Sequence, residues 1–164
     1  MVPSFQFYRL SATSSVTATT ISPYFGASSN VTLVSGSVYE AEFNLYFTKT
    51  TAGTVTFTLA SSAAPVILNA YYVGTVIGGA TPVGAAQTAA LIGSVATAAA
   101  LPATGSLVTA VTHEFVIKAF IETNLTTSGT LGFFITNSAG SVTPRQGSYF
   151  KVTRLSTSNV GIFT

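Results

Sequence analysis

The chain reads as an all-β antiparallel sandwich. Three observations predict it. Hydrophobic residues alternate with period two over long runs, Gly-marked turns separate those runs, and one strand–turn–strand unit occurs twice. The repeat is the sharpest of the three. Residues 50–66 (TTAGTVTFTLASSAAPV) and 126–142 (TTSGTLGFFITNSAGSV) align without gaps at an offset of 76. Each copy follows an aromatic-led run, Tyr39 to Phe47 and Phe115 to Ile121, at that same offset of 76. Two copies of a hairpin at this distance predict a sandwich of two similar halves.

The elements follow in order. FQFYRL, 5–10, is an opening strand, with shorter strands expected near 16–21 and 30–35. In 37–48, Tyr39, Ala41, Phe43, Leu45 and Phe47 point one way; Glu40, Glu42, Asn44 and Tyr46 point the other. In 54–59, Val55, Phe57 and Leu59 alternate with threonines, and another strand is expected near 66–73. In 113–123, Phe115, Ile117, Ala119 and Ile121 oppose Glu114, Val116, Lys118, Phe120 and Glu122. Leu131, Phe133 and Ile135 form the inward row of 130–136, and 148–155 closes the fold. Turns fall at Ser35-Gly36, Ala52-Gly53, Gly78-Gly79, Thr104-Gly105, Ser128-Gly129, Ala139-Gly140 and Gln146-Gly147. A single domain, 1–164, is expected, with a short N-terminal arm (1–4) and an Ala/Gly-rich connection over about 75–110.

Composition narrows the function. Charged residues make up 6% of the chain, against about 25% in a typical globular domain. There is no Asp, and the net charge is only +2. So little charge favours association, and much of the surface is expected to be covered by neighbouring subunits. No Lys/Arg cluster exists to track phosphates, so nucleic acid is not an expected partner. Cysteine is absent, which excludes disulfides and thiolate metal sites. The start, MVPSFQFYRL, has neither the cationic nor the apolar segment of a signal peptide. The most apolar window, 83–101, holds Gln87, Thr88, Gly93, Ser94 and Thr97, lacks basic flanks, and reads as an Ala-rich connection or strand pair. No membrane contact is expected.

The second faces of the outer runs differ from one another. Strands 37–48, 113–123 and 148–155 place aromatics and both signs of charge together: Glu40, Glu42, Tyr46, Lys118, Phe120, Glu122, Phe150 and Arg154. Strands 54–59 and 130–136 carry Thr and Gly instead. A mixed aromatic and charged face reads as a subunit interface, with opposite charges setting register between copies. Tyr8, on the opening strand, joins this candidate set.

These residues resemble a known family. The opening strand, the central Gly36-Ser37-Val38-Tyr39 strand running to Phe43, and the closing GSYFKVTRL, 147–155, are similar to the C1q/TNF-type jelly roll. That resemblance implies a homotrimer whose threefold axis is lined by the sheet of 5–10, 37–48, 113–123 and 148–155. The chain also resembles small structural proteins of marine tailed phages, cyanophages among them. The residues that carry this are Phe7–Leu10, Phe47–Thr54, Leu101–Ser106 and Gly147–Leu155. It implies a virion component on the capsid exterior, a decoration (cement) protein whose partners are itself and the major capsid protein. The alternatives are a host-receptor-binding head of a tail fibre or spike, contacting a surface glycan or protein, and a soluble C1q/TNF-like ligand module.

Little in the chain points to catalysis, and no enzyme, cofactor or metal is expected. The single His113 begins a strand beside Glu114, which faces the other side, and reads as a surface or turn residue. Glu40 and Glu42 share a face about 7 Å apart, the spacing of an acid–base pair, but read better as partners of Lys118 or Arg154 on a neighbouring strand or subunit. No nucleophile elbow and no phosphate-binding Gly motif occurs. Asn30-Val31-Thr32 and Asn124-Leu125-Thr126 fit the glycosylation acceptor pattern. Tyr24, Phe25, Tyr71 and Tyr72 are candidates either for sugar stacking or, more simply, for core or interface packing.

Overall fold

The computed structural model describes residues 5–13, 21–26, 30–61, 67–78, 89–94, 98–100, 107 and 109–156, with the backbone path alone over 60–100 and at 156. Among these, the strands in chain order are β1 (Phe5–Arg9), β2 (Ser22–Pro23), β3 (Val31–Leu33), β4 (Val38–Lys49), β5 (Val55–Ser61), β6 (Ile67–Gly78), β7 (Ala89–Ser94), β8 (Ala98–Ala100), β9 (His113–Thr123), β10 (Gly129–Asn137), β11 (Val142–Pro144) and β12 (Tyr149–Ser156). All pairings are antiparallel. The front sheet runs β1-β12-β4-β9-β6-β7, with β11 also on β4; the back sheet runs β2-β10-β5-β8, with β3 also on β10. First, last and middle strands thus lie side by side, the order of a jelly-roll-like sandwich. The four strands expected to share a sheet do so.

The inward rows meet in one aromatic core. Phe43 of the front sheet stacks on Phe133 of the back at 4.5 Å, and Phe115 stacks on Phe57 at 4.6 Å. Phe25 and Phe150 close one end of the pile at 4.9 Å. Such pairs add about 0.5–1.5 kcal/mol each beyond the area they bury.

The repeat proves to be a corner between sheets rather than a hairpin within one. Its first strand, β4 or β9, lies in the front sheet, and its second, β5 or β10, lies in the back. The two copies pair with each other in both layers. Glu42 and Lys118, 76 residues apart, are direct partners in the β4–β9 ladder. Thr58 and Phe134, also 76 apart, are direct partners in the β5–β10 ladder. A local twofold axis therefore passes through both sheets at these two pairs. It brings the repeat-equivalent Phe57 and Phe133 to 5.5 Å in the core.

Turn glycines do what their positions demand. Gly36 and Gly140 adopt φ of +60° and +66°, a left-handed conformation that a side chain resists. A Cβ on Gly140 would also lie 2.7 Å from the Thr50 hydroxyl.

Other expectations need correction or fall elsewhere. The strand expected near 16–21 lies mostly outside the described residues, as do the N-terminal arm and the turns at Gly79 and Gly105. The stretch expected as a connection over 75–110 contains the end of β6 together with β7 and β8, which join different sheets. Tyr24 and Phe25 are buried in the core, so they offer no sugar platform. His113 is not a surface residue. It stands on the inward row of β9 opposite Phe47, fully buried, its ring 5.5 Å from that phenyl. Strand parity places it there: it is two residues before Phe115 and continues the same row.

Candidate functional site

The outer face of the front sheet holds most of the residues that the sequence singles out. On β4 it carries Glu40, Glu42, Asn44 and Tyr46; on β9, Glu114, Val116, Lys118, Phe120 and Glu122. The register sets Glu40 against Phe120, Glu42 against Lys118, and Tyr46 against Glu114.

Three of the expected residues lie elsewhere. Phe150 is 1% exposed, opposite Phe43, with its ring in the core. Tyr8 stands opposite Phe150 on β1, stacks on it at 4.9 Å, and donates its hydroxyl to the Asn30 carbonyl at 3.0 Å. Arg154 opposes the buried Tyr39 and donates its Nε–H to Ser37 Oγ at 3.2 Å. The reason is the phase of β12. Tyr149 and Phe150 are both aromatic, so either row can face inward. Phe150 and Val152 make the more apolar row and take the core, with Arg154 ending that row at the rim. Tyr149, Lys151 and Thr153 turn outward instead. The signal was legible as alternation: Phe150 and Val152 are apolar, whereas Tyr149, Lys151 and Thr153 each carry a polar group.

The charge cluster therefore has a different partner from the one expected. Glu42 Oε2 pairs with Lys151 Nζ at 3.0 Å, and its Oε1 accepts the Tyr149 hydroxyl at 2.8 Å. The Lys151 ammonium, then the Tyr149 hydroxyl, hold the Glu42 carboxyl below its ordinary range, and the Lys118 charge adds to this. In return Glu42 pushes both the Tyr149 hydroxyl and the Lys151 ammonium upward. Beside this cluster Glu114 Oε1 accepts Asn44 Nδ2–H at 3.0 Å and the Tyr46 hydroxyl at 3.4 Å. The Asn44 carbonyl oxygen is buried with no hydrogen-bond partner among the described residues.

Aromatic side chains flank this charged centre. On one side, Phe5 and Phe7 of β1 stack at 6.4 Å, and Phe7 stacks on Tyr149 at 5.7 Å. On the other side, three strand spacings or about 14 Å away, stands Phe120 on β9. Phe5, Phe7 and Phe120 are each at least half exposed, at 52%, 50% and 50%. The sequence does not single out Phe5 and Phe7, and the interface face expected from it includes Tyr8, of the other row; alternation within FQFYRL does not tell which row faces out. Below the exposed Phe5–Phe7 row, Gln6 is turned the other way and ties β1 to β3. Its amide donates to Thr32 O at 2.9 Å and accepts Thr32 N–H at 3.0 Å.

Among the described residues, no three metal-ligating side chains converge. Glu40 and Glu42 share their face as expected, and Glu42 is engaged by Lys151 and Tyr149.

No family model and no curated protein matches the chain. Among solved structures it is similar to Eiger TNF from S. frugiperda, with a TM-score of 0.43 and 13% identity over 96% of this chain and 95% of that one. It is also similar to a chain of infectious bursal disease virus Gx strain, with a TM-score of 0.21 and 8% identity over 93% of this chain and 40% of that one. The jelly-roll-like fold rests on the strand order and pairing of the chain itself.

Proposed function

We propose that this protein is a self-associating structural module, closed as a homotrimer through the outer face of its front sheet. One observation carries the reading. Three large aromatic side chains, Phe5, Phe7 and Phe120, stand half exposed on the two flanks of a charged centre in one face. Apolar flanks supply association energy, about 25 cal/mol per Å² before the costs of ordering. The charged centre supplies register. The two flanks differ in composition, which suits head-to-tail contacts that close a ring.

The resemblance of the chain's motifs to small phage structural proteins supports a role as a capsid decoration (cement) protein on the virion exterior. Such a trimer would seat three identical feet on the major capsid protein and gain by avidity. The reading involves no catalysis, cofactor, nucleic acid or membrane.

Two measurements test it. Native mass spectrometry at micromolar concentration should give a trimer, and a monomer would overturn the association. Quantitative mass spectrometry of purified virions should give hundreds of copies per particle. A few dozen would favour the receptor-binding head of a fibre or spike. A trimer absent from particles would favour the soluble C1q/TNF-like ligand module, a reading to which the strand order β1-β12-β4-β9 lends support.

A further inference from the structure

Lys49 closes the inward row of β4, after Tyr39, Ala41, Phe43, Leu45 and Phe47, and is 2% exposed. Lysine is almost never buried to this degree unless paired with an acid. None of the chain's four glutamates serves: Glu40, Glu42, Glu114 and Glu122 all occupy the opposite row of their strands. Instead Lys49 Nζ donates to Asn137 Oδ1, and more weakly to the Thr54 carbonyl at 3.5 Å. Asn137 ends β10 in the other sheet and is also 2% exposed.

The amide is gripped on both sides. Asn137 Nδ2 donates to the carbonyls of Ala139 at 2.6 Å and Gly140 at 2.9 Å, while Oδ1 accepts Ala139 N–H at 3.4 Å. The surrounding corner is clasped as well. Thr54 N–H donates to Ser138 Oγ at 2.9 Å, Ser138 N–H to Thr54 O at 3.1 Å, and Ser141 N–H to Thr50 Oγ1 at 2.9 Å. A desolvated amine is thus held against a desolvated carboxamide whose orientation is fixed.

We propose that Lys49 and Asn137 join in an intramolecular isopeptide bond that straps the front sheet to the back sheet. Burial lowers the Lys49 pKa, which raises the share of neutral amine, the nucleophilic form. The Nζ lone pair attacks Asn137 Cγ, and the carbonyl π electrons move to Oδ1, where the Ala139 N–H stabilises the charge. A proton passes from Nζ to Nδ2, whose other hydrogens the Ala139 and Gly140 carbonyls hold. The Cγ–Nδ2 bond breaks, ammonia leaves, and a secondary amide links Nζ to Cγ. Nothing is oxidised or reduced. Fixed proximity supplies the drive. With no carboxylate to shuttle the proton, the bond forms slowly, after folding. The repeat-equivalent positions are Leu125 and Ser61, so only one end of the twofold arrangement carries the strap.

The test is the intact mass of the purified full-length protein, followed over two weeks at 37 °C. The expected result is a first-order conversion to a species lighter by about 17 Da, one ammonia. Proteolysis should then give one branched peptide joining Lys49 to Asn137. A succinimide at Asn137-Ser138 loses the same mass, so the Lys49→Arg variant is measured beside it, and wild type is treated with hydroxylamine, which opens a succinimide and spares an isopeptide. A mass that stays at the sequence value, a loss that persists in Lys49→Arg, or a loss reversed by hydroxylamine overturns the proposal. If Lys49→Arg does not fold, the peptide map and the hydroxylamine treatment of wild type decide.

Discussion

Glu42 and Lys118 occupy the same position in the two copies of the repeat and stand directly opposite each other in the β4–β9 ladder. The pair marks the local twofold axis at the centre of the outer face. Thr58 and Phe134 mark it in the other sheet. One residue of the central pair became acidic and the other basic, so a symmetric backbone presents an asymmetric charge. Lys151 of β12 stands beside Glu42 where Val73 of β6 stands beside Lys118, and it captures Glu42.

Glu42→Gln tests that cluster through pH. The folded carboxyl is held low, so its contribution is complete above the unfolded value of about 4.3 and is lost as pH falls through the lower folded value. Lys151 and Tyr149 are raised, so their contribution is complete below their unfolded values, about 10, and is lost as pH rises through the folded ones. The ion pair is partly solvent-exposed and screened, so the variant should lose under about 1 kcal/mol at neutral pH. Urea midpoints of wild type and variant should converge as acid protonates the folded carboxyl, below the ordinary carboxylate range. A gap that persists there would show that the loss is one of packing.

Phe133→Ala should be among the most damaging single changes. Its ring meets Phe43, Phe57, Tyr24 and Phe25 at the junction of the two sheets. A loss of about 3–5 kcal/mol is expected from equilibrium unfolding. Phe150→Ser, at a position buried against Phe43 and Phe25, should likewise unfold the chain rather than merely dissociate it.

Phe120→Ser and Phe7→Ser should act the other way. Both positions are half exposed, so the monomer should keep its stability within about 0.5 kcal/mol. Each variant should shift a self-associated form toward monomer in native mass measurements. Retention of full association by the double variant would remove the outer face from the interface.

Tyr24→Phe removes a buried hydroxyl that donates to the Tyr46 carbonyl at 2.8 Å and lies 3.2 Å from Ser148 Oγ. Ser148 keeps the Tyr46 N–H and the Arg145 carbonyl, so the loss should be about 1 kcal/mol. Burial pushes the Tyr24 hydroxyl far above the usual tyrosine range, with the Ser148 bond opposing slightly. Its stabilising share is therefore complete below the unfolded value, about 10, and declines as pH rises beyond it. In alkaline absorbance titration, Tyr24 should ionise only as the chain unfolds, and the Phe variant should lack that late step.

Gly140→Ala should cost about 1–3 kcal/mol, since it combines a left-handed backbone with a Cβ driven against Thr50 and Thr51. Thermal unfolding would register the change. Gly147→Ala, with open space around its left-handed backbone, should cost less.

By itself the sequence determined the elements and their class. Alternation, turn glycines and the repeat were enough to define β4, β5, β9, β10 and β12 as strands, and to place Glu40, Glu42, Lys118 and Phe120 on one face, because side-chain parity is a local property of extended backbone. Only the tertiary structure decided phase and partnership. In β1 and β12 both rows carry aromatics, so which row turns inward depends on what lies across the sandwich: Phe43 and Phe25 receive Phe150, and Tyr8 stacks on it in turn. The repeat read as a hairpin because a turn joins two strands either way. Whether those strands share a sheet depends on pairing with segments some 76 residues distant. Lys49 and Asn137 gave no local signal at all. A lysine ending a strand ordinarily keeps its ammonium in water, and the corner of the other sheet that buries it comes together only when the sandwich closes.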